Sequence, residues 1–236
     1  MFHVKICGVT TAADAEMVAA AGADAIGLNF VKGSPRQLDL TSGRVVAAAI
    51  PAGVLRVGVF AGVSASDMLQ IARTLALDAI QLHGHLDAAM APADPPERCG
   101  ELAGLPVIRA VRLETSQPGV DSLAAARQWI AAAAAAGAAP AMVIVDAAVS
   151  RGTAPGQLGG TGERVDWTAL GRAGSLSVPM AVAGGLTPEN VAEAIRATGL
   201  SAVDTASGVE AAPGRKDPRK VRDFIAAAHR GFEGLE

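Results

Sequence analysis

Three side chains carry most of the chemistry this sequence offers: the thiol of Cys7, the carboxyl of Asp146 and the guanidinium of Arg36. Cys7 closes the run Phe2-His3-Val4-Lys5-Ile6-Cys7-Gly8, in which Val4 and Ile6 alternate with Lys5 and Cys7. A strand puts that lysine and that thiol on one face. An ammonium beside a thiol favours the thiolate, which would make Cys7 a base or a nucleophile. The plainer reading is a small buried hydrophobe. Asp146 ends Val143-Ile144-Val145, where an unpaired buried carboxylate would be costly. It is therefore either a structural acid for the loop that follows or a general acid whose pKa is raised by apolar surroundings. Arg36, in Gly33-Ser34-Pro35-Arg36, is either an ordinary surface arginine or a fork for a ligand carboxylate.

Weaker signals surround these three. Gly184-Gly185 and Ala206-Ser207-Gly208 follow consecutive strand-like runs, where glycine lets backbone N–H groups approach an anion such as phosphate. His83 is the histidine expected near the same place. With no second His, Cys or acid at ligand spacing, no metal site is expected, and His83 reads as a structural or supporting residue. Asp204 is expected beside Lys5, as architecture with some electrostatic influence.

The elements that must position these residues are eight apolar runs: Val4–Ile6, Ala25–Phe30, Leu55–Phe60, Ala79–Leu82, Val107–Val111, Met142–Asp146, Met180–Ala183 and Ala202–Asp204. Ala-rich, helix-compatible segments separate them. Thr11 with Asp14 and Ser64 with Asp67 have capping-box spacing. Thr187-Pro188 and Asp217-Pro218 each place a capping residue before a proline. Eight alternations of strand and helix predict a single (β/α)8 TIM barrel over residues 1–236. A Rossmann-type sheet is the alternative, but no G-x-G-x-x-G follows an early strand. In a barrel the strands' carboxyl ends form the active site, which collects Cys7, Asn29, Gln81, His83, Arg109, Asp146, Gly184, Gly185 and Asp204. His85–Gly104 reads as an irregular insertion around a fourth helix. Ala147–Gly162, rich in glycine, reads as a functional loop.

Composition narrows the class. Half of the 236 residues are hydrophobic, 18% are charged and there is no Tyr, so the core is built from Ala, Val, Leu and Ile, which suits parallel strands under helices. A net charge of −3 without a basic block gives no nucleic-acid footprint. No run reaches the ~18 apolar residues of a membrane span, and the amino terminus does not read as a signal peptide. Cys7 and Cys99 form no framework, so a cytoplasmic setting with a free Cys7 is expected.

Together these residues resemble one family. Lys5-Ile6-Cys7-Gly8, Ser34-Pro35-Arg36, Val57-Gly58-Val59-Phe60, Gln81-Leu82-His83-Gly84, Gly159-Gly160-Thr161-Gly162, Asp166-Trp167, Ala183-Gly184-Gly185-Leu186 with Pro188-Glu189-Asn190-Val191, and Val203-Asp204 through Glu210 with Pro213–Asp217 are similar, in order, to the phosphoribosylanthranilate isomerases of tryptophan biosynthesis. The resemblance implies a cofactor-free Amadori rearrangement of N-(5-phosphoribosyl)anthranilate to 1-(2-carboxyphenylamino)-1-deoxyribulose 5-phosphate. It implies Asp146 as general acid, Cys7 as general base, Arg36 on the anthranilate carboxylate, and the phosphate on Gly184, Gly185, Ser207 and Gly208. A small phosphosugar-anthranilate is then the partner, with the chain a monomer or homodimer. The pattern departs from the family at His85-Leu86-Asp87, where an acidic residue usually follows the His-Gly step, and in the insertion up to Gly104. Two other readings are another sugar-phosphate barrel isomerase, which would show paired Asp bases or metal-binding histidines, and a catalytically idle barrel serving as a binding module.

Overall fold

The computed structural model describes residues 1–85, 93–102, 104–113, 120–147 and 167–235. The apolar runs become eight parallel strands: β1 (Val4–Cys7), β2 (Ala25–Asn29), β3 (Leu55–Phe60), β4 (Ala79–Leu82), β5 (Val107–Arg112), β6 (Met142–Asp146), β7 (Met180–Ala183) and β8 (Val203–Thr205). They pair in chain order, and β8 closes on β1 with Lys5 opposite Asp204. Between and after them run α1 (Ala12–Ala20), α2 (Leu40–Ala48), α3 (Ala65–Leu75), α4 (Arg98–Glu101), α5 (Ala124–Ala135), α6 (Trp167–Ala173), α7 (Val191–Thr198) and α8 (Pro218–Glu233). This is the expected (β/α)8 barrel; closure of the sheet rules out the Rossmann alternative.

Strand alternation sorts the side chains into two layers. Ala25, Val57, Ala79, Ile108, Met142, Ile144, Ala181 and Ala183 cluster inside the barrel, where four of the eight are alanine because the lumen is narrow. Val4, Ile6, Ile26, Leu28, Ile80, Leu82, Val143, Val145 and Val182 form the larger outer cluster with the helices. Burying each such Val, Leu or Ile contributes about 1.5–3 kcal/mol relative to exposure.

Helix starts follow local side chains. Thr11 accepts the Asp14 N–H at 3.1 Å, and Ser64 accepts that of Asp67 at 3.2 Å. Asp217 accepts from Arg219 and Lys220 with Pro218 opening α8. The expected cap at Thr187-Pro188 is different: α7 starts at Val191, behind Asn190. Asn190 instead accepts the Thr187 N–H at 2.7 Å and donates to the Gly185 carbonyl at 3.0 Å. Thr187-Pro188 thereby belongs to a turn that ties down the glycine pair.

The fourth unit is irregular, as expected, with a four-residue α4; its residues 86–92 and 103 lie outside the described residues. So do residues 148–166, and with them the glycine-rich loop expected after Asp146. The hydrophobic pattern does not announce a small antiparallel hairpin, β9 (Glu210–Ala212) with β10 (Arg215–Lys216), which follows a 3₁₀ turn at Ser207–Val209. Among the described residues, no helix is long and apolar enough to cross a membrane.

Candidate active site

β1 is short, and its alternation sends Lys5 and Cys7 inward at the carboxyl end of the barrel. Lys5 is fully buried and pairs with Asp204 of β8 at 2.8 Å. Burial alone would lower the pKa of Lys5. The charge and hydrogen bond of Asp204, with a further contribution from Cys7, outweigh it and hold the ammonium above its ordinary value. Cys7 is a free, partly accessible thiol. Three cations, Lys5, Arg36 and Lys216, lie within electrostatic reach of it.

Asp146 ends β6, three places around the barrel from β1. Its surroundings are not the apolar ones expected. The side chain keeps 27% exposure, and Arg112 Nε, directly opposite in register on β5, stands 3.9 Å from its Oδ2. The cause is strand parity: β5 runs one residue beyond the apolar pattern, so Arg112 turns inward. The same parity turns Arg109 outward, away from the mouth. Arg109 is fully buried, donates to the Gly84 carbonyl at 2.6 Å, lies 3.5 Å from Asp94 and covers the Trp129 ring at 5.0 Å. Burial pushes its pKa down to about 10 against the pull of Asp94. Arg109 thus anchors the fourth unit rather than lining the site.

His83 donates its backbone N–H to Phe60 O at 2.7 Å just past β4. Burial, then the cations Lys5 and Arg112, lower its pKa to about 4, so the ring is neutral at neutral pH. Its Nδ1 and the Oε1 of Gln81 two residues earlier are buried without hydrogen-bond partners among the described residues. Both are therefore polar atoms whose hydrogen-bonding capacity the surrounding protein leaves unused.

The loop after β2 is built to present Arg36. Asn29 donates to Ser34 Oγ at 3.1 Å and accepts the Val31 N–H at 2.8 Å, while Ser34 Oγ accepts the Arg36 N–H at 3.2 Å. The Arg36 fork, however, is partly taken. Its Nε and Nη2 donate to the two oxygens of Glu210, each at 2.7 Å. Glu210 also accepts from Lys216 Nζ at 2.8 Å. Burial alone would raise the Glu210 carboxyl, and the bonds from Arg36 and Lys216 outweigh it and hold it below its ordinary value. Glu210 and Lys216 carried no functional reading in sequence, although both lie within the quoted terminal motif. The available signal was a charged residue on either side of Pro213-Gly214, a turn just beyond a barrel strand.

The two glycine segments meet. Gly184 and Gly185 sit at φ +90° and +61°, left-handed positions that favour glycine. Gly208 is pressed against the Leu186 carbonyl so closely that any Cβ would overlap that oxygen. Thr205 Oγ1 donates to the same carbonyl at 2.8 Å. The segments after β7 and β8 are thereby locked side by side, with Ser207 and Gly185 exposed at their tips. No group of three His, Cys, Asp or Glu that could hold a metal is present among the described residues.

These features have counterparts in known proteins. Residues 4–227 match the family model described as N-(5'phosphoribosyl)anthranilate isomerase. The chain is 41% identical over 228 residues to the N-(5'-phosphoribosyl)anthranilate isomerase of Neisseria gonorrhoeae, covering 97% of each chain. It is 41% identical to that of Myxococcus xanthus, covering 96% of this chain and 95% of the relative. Among solved structures it superposes on phosphoribosyl anthranilate isomerase from Thermotoga maritima with a TM-score of 0.79 and 32% identity, covering 98% of this chain and 100% of that one. A phosphoribosyl anthranilate isomerase in complex with reduced 1-(o-carboxyphenylamino)-1-deoxyribulose 5-phosphate matches with a TM-score of 0.75, 29% identity and the same coverage. From its closed barrel to its ordered motifs, the chain belongs to the N-(5'-phosphoribosyl)anthranilate isomerase family.

Proposed function

We propose that this chain converts N-(5-phosphoribosyl)anthranilate to 1-(2-carboxyphenylamino)-1-deoxyribulose 5-phosphate by general acid and base catalysis, with Asp146 as the acid and Cys7 as the base. The observation that carries this reading is the arrangement of Cys7 and Asp146 at the carboxyl ends of β1 and β6 of one closed barrel. Asp146 protonates the ribose ring oxygen as the C1–O bond breaks and the anilino nitrogen shares its lone pair to form the Schiff base. Arg112 beside it gives the resulting carboxylate a counter-charge. Cys7 thiolate then removes the C2 proton, and the electron pair moves toward the iminium nitrogen to give the enolamine, which tautomerises to the ketone. Positioned proton transfer of this kind contributes about 10²–10⁴-fold per group.

Arg36 holds the anthranilate carboxylate. Gly184, Gly185, Ser207 and Gly208 receive the phosphate on backbone N–H groups. Neutral His83 and Gln81 offer hydrogen bonds to the sugar hydroxyls, while Lys5 and Asp204 set the charge beneath Cys7. The chain works as one (β/α)8 catalytic domain in the cytoplasm, as a monomer or homodimer, on a small-molecule substrate and without a cofactor. Freshly prepared N-(5-phosphoribosyl)anthranilate, incubated with the enzyme and a chelator, should lose its anthranilate fluorescence on conversion. A rate equal to that in buffer would end this reading.

A further inference from the structure

We propose that Glu210, pinned by Lys216, is the positioning residue that fixes the plane of the Arg36 guanidinium and leaves a single edge of it for a planar ligand carboxylate. This rests on the reading of Arg36 as the carboxylate anchor. β1 has β2 and β8 as its neighbours, so the segments following those two strands can meet over the end of β1. Arg36 comes from the first and Glu210 from the second. Between them lies Gly8, where a Cβ would collide with the Arg36 side chain.

The guanidinium has two edges able to bind a carboxylate in parallel. Glu210 occupies the side edge through Nε and Nη2, both at 2.7 Å. What remains is the end edge, formed by Nη1 and the second proton of Nη2. Nη1 makes no hydrogen bond among the described residues, and the Arg36 side chain keeps 20% exposure while that of Glu210 keeps 4%. Arg36 therefore reaches the ligand with one edge locked and the other open.

Glu210 is itself held from several directions. Lys216 Nζ donates to its Oε1 at 2.8 Å and to the Ala206 carbonyl at 3.0 Å. Lys220 Nζ donates to the Glu210 backbone carbonyl at 2.8 Å, and the Lys216 N–H is accepted by Asp14 at 3.1 Å. Arg36, Lys216 and Glu210 together carry one net positive charge, which one ligand carboxylate neutralises. An arginine so held has lost its rotamer freedom on folding rather than on binding.

The test compares two substrates that differ only in the carboxylate: N-(5-phosphoribosyl)anthranilate and N-(5-phosphoribosyl)aniline, each followed by chromatographic separation of the aminoketone. For Glu210→Gln, KM for the anthranilate compound should rise about 10–100-fold, the worth of a hydrogen bond to a charged group, with a smaller change in kcat. With the aniline compound kcat/KM should stay within about threefold of the native enzyme. Lys216→Met should show the same selectivity to a lesser degree, and serves as the readout if Glu210→Gln does not fold. Adding Glu210→Gln to Arg36→Ala should cost nothing further on the anthranilate compound. Equal losses on both substrates, or none on either, would overturn the proposal while Arg36→Ala still discriminates between them. If Arg36→Ala itself fails to discriminate, the carboxylate reading of Arg36 falls instead.

Discussion

Asp204→Asn is the sharpest perturbation of the barrel floor. The substitution keeps the volume of the side chain and removes its charge, leaving the Lys5 ammonium, with no exposed surface, 2.8 Å from a neutral amide. Breaking a buried ion pair from one side costs about 3–5 kcal/mol, against a total stability of about 5–15 kcal/mol for a typical protein. For a chain of this length each kcal/mol moves the melting temperature by about 2–4 °C, so a fall of roughly 6–20 °C follows. The assay is thermal unfolding by circular dichroism, with kcat measured on the same samples. Replacing both partners, Lys5→Met with Asp204→Leu, removes the uncompensated charge and should bring the midpoint back to within about 3 °C, since apolar replacement of a whole pair is often neutral or better. That double variant should still have a low kcat, because the charge beside Cys7 is gone. A midpoint for Asp204→Asn within about 2 °C of native would show that the Lys5 ammonium does not depend on Asp204. Full kcat in the double variant would reduce the pair to architecture alone.

Two further outcomes follow from the site. His83 is neutral in the fold down to about pH 4 and takes up its proton near pH 6.5 when unfolded. The unfolded state therefore binds more protons between those values, and stability falls as pH drops from about 6.5 to 4, by up to about 3 kcal/mol; His83→Gln should flatten that part of a urea-midpoint profile, and an unchanged slope would contradict it. Gly208→Ala places a methyl against the Leu186 carbonyl and must part the segments after β7 and β8. It should cost about 1–3 kcal/mol and, measured separately, raise both KM and the inhibition constant of inorganic phosphate; unchanged constants would remove Gly208 from the anion cradle.

The scaffold is legible in the sequence because strands buried on both faces leave continuous apolar runs. The bounds of β3, β4, β6 and β7 coincide with those runs, β1, β2 and β5 differ by one residue at one end, and β8 is shifted by one residue at both. Lys5 and Cys7 could be placed together because period-two alternation within four residues is local, and their neighbour Asp204 because closure of the barrel brings β8 to β1. The outward turn of Arg109 was also local information: Val107, Arg109 and Val111 share a face by the same alternation. Arg112 is not marked by the apolar run, which stops one residue before it. Glu210 was not legible at all as a partner of Arg36. The two are 174 residues apart, and only the closed ring of strands puts the segment after β8 against the segment after β2. Thr187-Pro188 misled because a Thr-Pro pair serves equally well in a cap and in a turn, and the choice was made by Asn190, which bonds back to Gly185.

Two proton-moving residues carry the proposed reaction, and its most direct measurement is kcat and KM of Cys7→Ala and Asp146→Asn on N-(5-phosphoribosyl)anthranilate, followed by anthranilate fluorescence. Each should lower kcat about 10²–10⁴-fold with KM within a few-fold of native. A Cys7→Ala enzyme that turns over at close to the native rate would contradict the assignment of the base, and an equally active Asp146→Asn enzyme that of the acid.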